Sequence, residues 1–314
     1  MRIATFNYKD RAEGAPRLGL VEGDALIDLT ECGKDGREAW PSDLGSDVVS
    51  LIRNFHDLRP RLEELSGGGA PPSARAALDH VRLRAPVGRP GKLICLAGNY
   101  REHITESGYA APAQTDVITQ QLFLKPSTCI AGDGDEIVVE HHNVTVGWET
   151  ELAVVIGRRG KHILAADAFD HVFGYTILND VSERGLNSRV ENRRKRELDK
   201  FFDWLAGKWF DTFAPCGPWL VTKDEIADPH DLEISLTVNG EPRQRGNTRD
   251  MIFSIPEQVA YASSIMTLEP GDIISTGTPA GAGVGGANSL RDGDRLVCEI
   301  EGVGALRNSV RWGR

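Results

Sequence analysis

The chain is short of cysteine, short of net positive charge and without a long apolar run, and each shortage removes a class of function. Its five cysteines, Cys32, Cys95, Cys129, Cys216 and Cys298, are scattered, odd in number and form no C-x-x-C. That spacing argues against a disulfide framework and against structural zinc, and it fits a reducing compartment such as the cytoplasm. Lys and Arg number 36 against 46 Asp and Glu, a net charge of −10. So acidic a chain lacks the electrostatic footprint of a nucleic-acid binder. No apolar stretch approaches the length that spans a bilayer, and the opening MRIATFNYKDRAEG lacks the apolar segment of a signal peptide. The expected setting is the cytoplasm, with no membrane contact, and the expected partners are small molecules or further copies of the chain.

What is present suits a globular protein: 314 residues, 40% hydrophobic and 26% charged. The pattern predicts a small N-terminal α+β domain with its linker over 1–85 and a larger, mostly-β domain over 86–314. In the first, RIATF, RLGLVEG and ALIDL read as strands and SDVVSLIRNFHDLRPRLEEL as a helix, followed by a Gly- and Pro-rich linker, SGGGAPPSARAA. In the second, KLICLAG, TELAVVIG, FGYTILND, PWLVT, LEISLTVNG, DIISTG and RLVCEIEGVGALRNSV read as strands. Asn239-Gly240 marks a hairpin turn. Helices are predicted at Asn99–Gly108, Ser182–Ala206 and Ile255–Leu268, the last with Pro256 in its first turn.

Four stretches carry chemistry. In G-W-E-T-E-L-A-V-V-I-G, Glu149 and Glu151 are two apart, so a strand puts both carboxylates on one face beside an apolar run. Asp180, closing FGYTILND, is the natural third carboxylate from a neighbouring strand. Three carboxylates and no cysteine would favour Mg²⁺ or Mn²⁺ over zinc. The plain alternative is a pair solvated on an exposed edge, since E-x-E is common. Without a cation, like charges held together in a dry site should raise the carboxylate pKa values.

In N-Y-R-E-H-I-T-E, His103 and Glu106 are three apart and share a helical face, an arrangement that suits a general base acting on water. An ordinary surface pair has the same spacing. Lys208, in the aromatic stretch GKWFDTFAPCGPWLV, could hold an oxyanion or merely snorkel from an apolar surface. In LEPGDIISTGTPAGAGVG, Thr276, Thr278 and the glycines form a strand exit where backbone N–H groups could meet an anion. It is a poor dinucleotide fingerprint, because it does not follow a first strand and open a helix. The basic segment Ser188–Leu198 is interrupted by acids and reads as a solvated helix face. His141-His142, with no third ligand at suitable spacing, reads as a strand-end loop.

Taken in order, these pieces resemble the fumarylacetoacetate hydrolase family from about Lys92 to the C-terminus. The matching motifs are N-Y-x-x-H-x-x-E (Asn99 to Glu106), F-L-K-P (Phe123 to Pro126), E-x-E-L-A-V-V-I-G (Glu149 to Gly157) and G-Y-T-x-x-N-D-V-S (Gly174 to Ser182). K-x-F-D-T-F-x-P-x-G-P (Lys208 to Pro218), V-N-G-E, Q-x-G-N-T-x-D-M-I-F and G-D-x-I-x-T-G-T-P complete the series. The resemblance implies a mixed β-sandwich roll preceded by a small α+β domain, assembled as a homodimer. It implies that Glu149, Glu151 and Asp180 bind Mg²⁺, Mn²⁺ or Ca²⁺, that His103 with Glu106 is the acid/base pair, and that Lys208 is its electrostatic partner. Arg184, Gln244 and Thr278 match positions that line the substrate pocket. Asp180 to Gly185 reads D-V-S-E-R-G where many members read D-V-S-A-R-D, and the segment from Arg184 to Lys208 is long and charged.

The activity so implied is hydrolysis of a carbon–carbon bond in acylpyruvate-like or diketo acids through a metal-bound enolate. An isomerase or decarboxylase of 2-hydroxyhepta-2,4-diene-1,7-dioate or 2-oxo diacids shares that enolate. A carboxylate-binding protein without catalysis is the reading from another class, and His103, Glu106 and Lys208 speak against it.

Overall fold

The computed structural model describes residues 1–11, 14–33, 47–113, 116–140, 144–184, 186, 192–283 and 288–313. The first three strands, β1 (Arg2–Tyr8), β2 (Arg17–Glu22) and β3 (Ala25–Asp28), form an antiparallel meander. Helices α1 (Leu29–Cys32) and α2 (Val48–Glu64) follow. Asp47 caps α2 by accepting the Val49 N–H at 3.0 Å, and the stripe Val48, Leu51, Ile52 and Leu62 is buried. Strands β4 (Arg75–Ala77) and β5 (Val81–Arg84) then pair with β3 and β1.

The rest of the chain supplies β6 (Leu93–Ala97), α3 (Arg101–Glu106), β7 (Gln121–Lys125), β8 (Ile130–Ala131), β9 (Glu136–Val139) and β10 (Val146–Gly147). Next come β11 (Thr150–Ile156), β12 (Val172–Asn179), β13 (Ser182–Glu183), α4 (Asp199–Ala206) and β14 (Ala214–Thr222). The last elements are β15 (Glu233–Val238), β16 (Glu241–Asn247), α5 (Ile255–Ile265), β17 (Ile273–Ser275), β18 (Arg295–Ile300) and β19 (Gly304–Trp312).

One mixed sheet runs β4-β3-β2-β1-β14-β12-β11-β17-β6-β7, with β5 added on β1 and β8 on β14. The N-terminal strands therefore extend the sheet of the larger region through the β1–β14 pairing, Arg2 opposite Val221 and Ile3 opposite Leu220. A second sheet, β16-β15-β18-β19-β9, supplies side chains to a core shared with the first. The architecture is thus the strand-rich α+β sandwich expected.

Strand β11 explains its own sequence. Leu152, Val154 and Ile156 join Ile234, Leu236 and Leu296 of the second sheet in one core, while Ala153 and Val155 join Leu20, Leu51 and Ile273 in another. A strand covered on both faces has to be apolar at every position, which is why L-A-V-V-I shows no alternation. On the N-terminal side, Phe55 of α2 meets Phe173 of β12 edge-on, ring centroids 4.9 Å apart.

Several expectations need correction. The helix predicted over Ser182–Ala206 is, among the described residues, strand at Ser182–Glu183 and α-helix only over Asp199–Ala206. RLVCEIEGVGALRNSV is two strands, β18 and β19, joined by a tight turn at residues 301–303. The linker SGGGAPPSARAA contributes an edge strand, Arg75–Ala77. Gln121–Lys125 and Glu136–Val139 are strands that the pattern did not single out. The Asn239-Gly240 turn does have the positive φ values of its class, 54° and 83°. The predicted α5 is present, with a Ser254–Glu257 capping box and Pro256 near its start. His141-His142, residues 188–191 of the basic segment and residues 284–287 of the glycine-rich loop lie outside the described residues. Among the described residues, no helix is long and apolar enough to cross a membrane.

Because β11 sits between two cores, truncating it leaves a cavity that neither can fill by relaxing. Leu152→Ala is expected to lower unfolding stability by about 2–5 kcal/mol in urea titration. A loss well under 1 kcal/mol would contradict the two-sided burial.

Candidate metal centre

The register of β11 against β12 builds the centre. Thr150 lies opposite Asn179, so the residues just beyond, Glu149 and Asp180, are neighbours. Two hydrogen bonds fix them: the Asp180 N–H donates to the Glu149 carbonyl at 2.8 Å, and the Glu149 N–H donates to Asn179 Oδ1 at 2.9 Å. Glu151 follows on the same strand. All three carboxylates are buried, and one oxygen from each can be chosen so that the three lie within 4.8 Å of one another.

Three cations stand against these carboxylates. Lys208 Nζ donates to Glu149 Oε2 at 3.0 Å, to Asp180 Oδ2 at 2.5 Å and to Ser182 Oγ at 2.9 Å. Its position follows from α4, whose last turn leads through Gly207 into the lysine, and the Glu183 N–H donates to the Gly207 carbonyl at 2.8 Å. The rings of Phe123 and Trp204 wall it in, centroids 5.0 and 5.5 Å from Nζ. The guanidinium of Arg184 bonds Glu149 Oε1 through Nη2.

The third cation, Lys125, belongs to the F-L-K-P motif, whose sequence alone assigns it no role. Its Nζ donates to Asp180 Oδ1 at 2.5 Å, to the Phe213 carbonyl at 2.7 Å and to the Val181 carbonyl at 3.1 Å. Asp180 is therefore clamped by a lysine on each oxygen. The signal was the alternation in QLFLK, which turns Leu124 outward and buries Lys125 with Phe123.

Glu151 has no such partner. Its Oε2 accepts from Ser275 Oγ at 2.6 Å and from the Gly277 N–H at 2.8 Å. That backbone approach needs glycine, because φ at Gly277 is +92° and a Cβ would lie 2.7 Å from Asn99 Cβ. Burial, then the charges of Asp180 and Glu149, push the Glu151 carboxyl up to about 8. The expectation of raised carboxylate pKa values holds there and fails at Glu149. Burial also pushes Glu149 up, but Lys208 and Arg184 outweigh it and hold the carboxyl well below its usual range.

The remaining expected residues divide into two groups. His103 lies at the rim: its ring responds to the charges of Glu149, Arg184, Glu106 and Lys208, and Nδ1 is 3.9 Å from Glu106 Oε2. Glu106 Oε2 instead accepts the Gly281 N–H at 2.8 Å. Gln244 and Thr278 hold the backbone between the two glutamates. Gln244 Oε1 accepts the Thr150 N–H at 2.9 Å, its Nε2 donates to Thr278 Oγ1 at 2.8 Å, and Thr278 Oγ1 donates to the Thr150 carbonyl at 2.8 Å.

Three further polar atoms around the carboxylates, Tyr100 Oη, His103 Nδ1 and Arg184 Nε, are buried without a hydrogen-bond partner among the described residues. Buried polar groups are normally paired, so three orphans at one place mark room for a polar ligand. An all-oxygen donor set, with Glu151 lacking a cation of its own, fits a hard divalent ion held by Glu149, Glu151 and Asp180.

Comparison with known proteins identifies the family. The sequence matches the family profile described as Fumarylacetoacetate (FAA) hydrolase C-terminal over residues 92–311. Bovine oxaloacetate tautomerase FAHD2A, mitochondrial, is 44% identical over 314 residues, covering 99% of this chain and 91% of that protein. Maleylpyruvate hydrolase from Sphingobium sp. SYK-6, solved with manganese(II) and pyruvate, is 35% identical with a TM-score of 0.77, and the match covers 100% of both chains. The 5-carboxymethyl-2-hydroxymuconate delta-isomerase from Mycobacterium smegmatis is 31% identical with a TM-score of 0.70, again over 100% of both.

Calorimetry with Mn²⁺ tests the centre. Glu151→Gln is expected to abolish measurable binding, and Lys125→Met, which frees Asp180 Oδ1, to weaken it about 10- to 100-fold. Wild-type affinity in Glu151→Gln would remove the proposed ligand set.

Proposed function

The chain belongs to the fumarylacetoacetate hydrolase family, and from that premise we propose that it interconverts the keto and enol forms of a small 2-oxo dicarboxylic acid of the oxaloacetate type. The observation that carries this reading is a largely enclosed imidazole, His103, within the field of Glu149 and Glu106 and with its Nδ1 left unpartnered among the described residues. A divalent cation on Glu149, Glu151 and Asp180 would draw electron density from a chelated 2-oxo acid and so acidify the hydrogen on the carbon next to its ketone.

The side chains supply the rest. Burial pushes the His103 pKa down, the charges of Glu149 and Glu106 only partly reverse this, and the net shift is below the ordinary 6.5. The ring is therefore neutral at pH 7 and able to accept a proton from carbon. Glu106, 3.9 Å away, steadies the imidazolium that results, and the same ring returns the proton to the enol oxygen in the opposite tautomer. All three Lys208 protons are committed to Glu149, Asp180 and Ser182, so it acts on developing negative charge through its field. Arg184 carries the unpartnered Nε and is the cation best placed to meet a substrate carboxylate.

A second reading, hydrolysis of an acylpyruvate, is favoured by the match to maleylpyruvate hydrolase along the whole of both chains. There His103 would take its proton from a water attacking the carbonyl two carbons from the ketone. Cleavage of the bond between would leave a three-carbon enol.

A product-resolved panel of oxaloacetate, acylpyruvates and 2-hydroxy-dienoates with Mg²⁺ or Mn²⁺ separates these outcomes. Enol–keto exchange without fragments is the expected result, whereas two carbon fragments, a moved double bond or CO₂ would assign another member of the group. Under either leading reading, His103→Ala should lower kcat/KM by about 10²- to 10⁴-fold. The wild-type rate should be flat near pH 7 and fall on acidification with an apparent pKa below 6.5, because protonation removes the base. Undiminished turnover in His103→Ala would falsify the base assignment.

A further inference from the structure

Thr212 holds a backbone conformation that its side chain disfavours. The Phe213 N–H donates to the Phe210 carbonyl at 3.1 Å, closing a turn whose third residue is Thr212, with φ of +68°. Asp211 before it keeps a negative φ, so the turn is of the type II class, whose third position glycine or asparagine ordinarily fills. The described non-glycine residues with positive φ are His162, Asn192, Thr212 and Asn239, and Thr212 alone is β-branched. A branch at Cβ makes that conformation costly, and such strain persists only where the surroundings impose it.

Two contacts impose it. The Thr212 hydroxyl accepts the Val138 N–H of β9 at 2.8 Å. Among the described residues β9 pairs only with β19, so the hydroxyl takes up an N–H that the sheet edge leaves open. The strand is a firm anchor, because Ile137 and Val139 on either side are buried in the core that also holds Phe213. At the other end of the contact, the Phe213 carbonyl accepts from Lys125 Nζ at 2.7 Å, the ammonium that grips Asp180 Oδ1. The chain entering the turn carries Lys208, which grips Asp180 Oδ2. Residues 208–213 thus reach both oxygens of Asp180, one directly and one through Lys125. A negative φ at residue 212 would swing the chain that follows it and carry the Phe213 carbonyl away. Lys125 would then be a buried ammonium with one proton unbonded.

We propose that Thr212 is a positioning residue of the carboxylate centre: its hydroxyl, fastened to β9, holds the strained turn that aims the Phe213 carbonyl at Lys125 and so sets Asp180. The edge of the second sheet is thereby coupled to a ligand carried by the first. The effect on a metal ion rests on the reading of Asp180 as a ligand, whereas the placement of Lys125 is measurable with no metal present. The role stands whichever reaction the centre performs.

Two readings of the full chain test it, in Thr212→Val, which keeps the shape and loses the acceptor, and in Thr212→Ser, which keeps the hydroxyl. The first is NMR of the metal-free protein labelled with [¹⁵N]lysine. A buried ammonium with all three protons bonded exchanges slowly with water and gives a resolved signal, assigned to Lys125 by its loss in Lys125→Met. The signal should be the same in wild type and Thr212→Ser, and should shift or broaden in Thr212→Val. The second is calorimetry with Mn²⁺, whose affinity should fall about 10-fold in Thr212→Val and stay within about 2-fold of wild type in Thr212→Ser. A residue that only stabilised the fold would lower the melting temperature of Thr212→Val and move neither reading. A wild-type value of either reading in Thr212→Val overturns the proposal, as does a Thr212→Ser that behaves like Thr212→Val or a wild type with no Lys125 signal. Should Thr212→Val fail to fold, Thr212→Ala, with neither branch nor hydroxyl, decides by the same readings. A wild type that binds no Mn²⁺ removes the metal reading, and the Lys125 signal then decides for Thr212 by itself.

Discussion

Three carboxylates buried within one small space are the constraint around which much of this molecule is arranged. Bare, they would repel one another and resist leaving water, and a buried carboxylate without a partner protonates instead. The protein answers at two of the three. Glu149 is held ionised by Lys208 and Arg184, and Asp180 is gripped on both oxygens by Lys208 and Lys125. Glu151 receives only a hydroxyl and a backbone N–H, and its pKa rises accordingly. The unequal treatment is informative. Two carboxylates are compensated by the protein's own cations, and the third, Glu151, is not.

Holding such a cluster still requires a rigid floor. Strand β11 has a core on each side, so its first turn of chain cannot shift without disturbing both. β12 pairs with it along seven residues and delivers Asp180. Gln244 and Thr278 close the ladder at Thr150, between the two glutamates, where β11 has run past β17 on that side. These two are thus joined to the centre through the backbone that carries the ligands. A substitution at either would act on where Glu149 and Glu151 point.

Much of this was legible in the residues because local rules and long-range structure agree there. Period-two spacing put Glu149 and Glu151 on one face, and the end of FGYTILND put Asp180 beside them. The Asn239-Gly240 turn and the capped α5 were equally plain. The failures share a cause. Ser182–Ala206 has helix-like composition, but Ser182 and Glu183 are claimed by pairing with Val146 and Gly147, a contact no local pattern reveals. Lys125 looked like a charge ending a strand, and only the fold shows that its three protons go to Asp180 and two carbonyls. The low pKa of Glu149 was missed for the same reason, since repulsion was visible in sequence and the compensating lysine was not.

Relatives of this chain are named as a tautomerase, a hydrolase and an isomerase, so family membership alone does not select the outcome. What differs among such reactions is what stands over the bound acid: whether a water can reach the far carbonyl, and where a returning proton is delivered. In this chain the side chains described beside the carboxylates are His103 on α3, Arg184 and, just past the end of α4, Lys208. Glu106 fastens α3 to Gly281, and Trp148 donates to the Gly281 carbonyl, so α3 is tied to the loop that also places Gly277 against Glu151. The helix that carries His103 and the loop that contacts Glu151 are thereby joined.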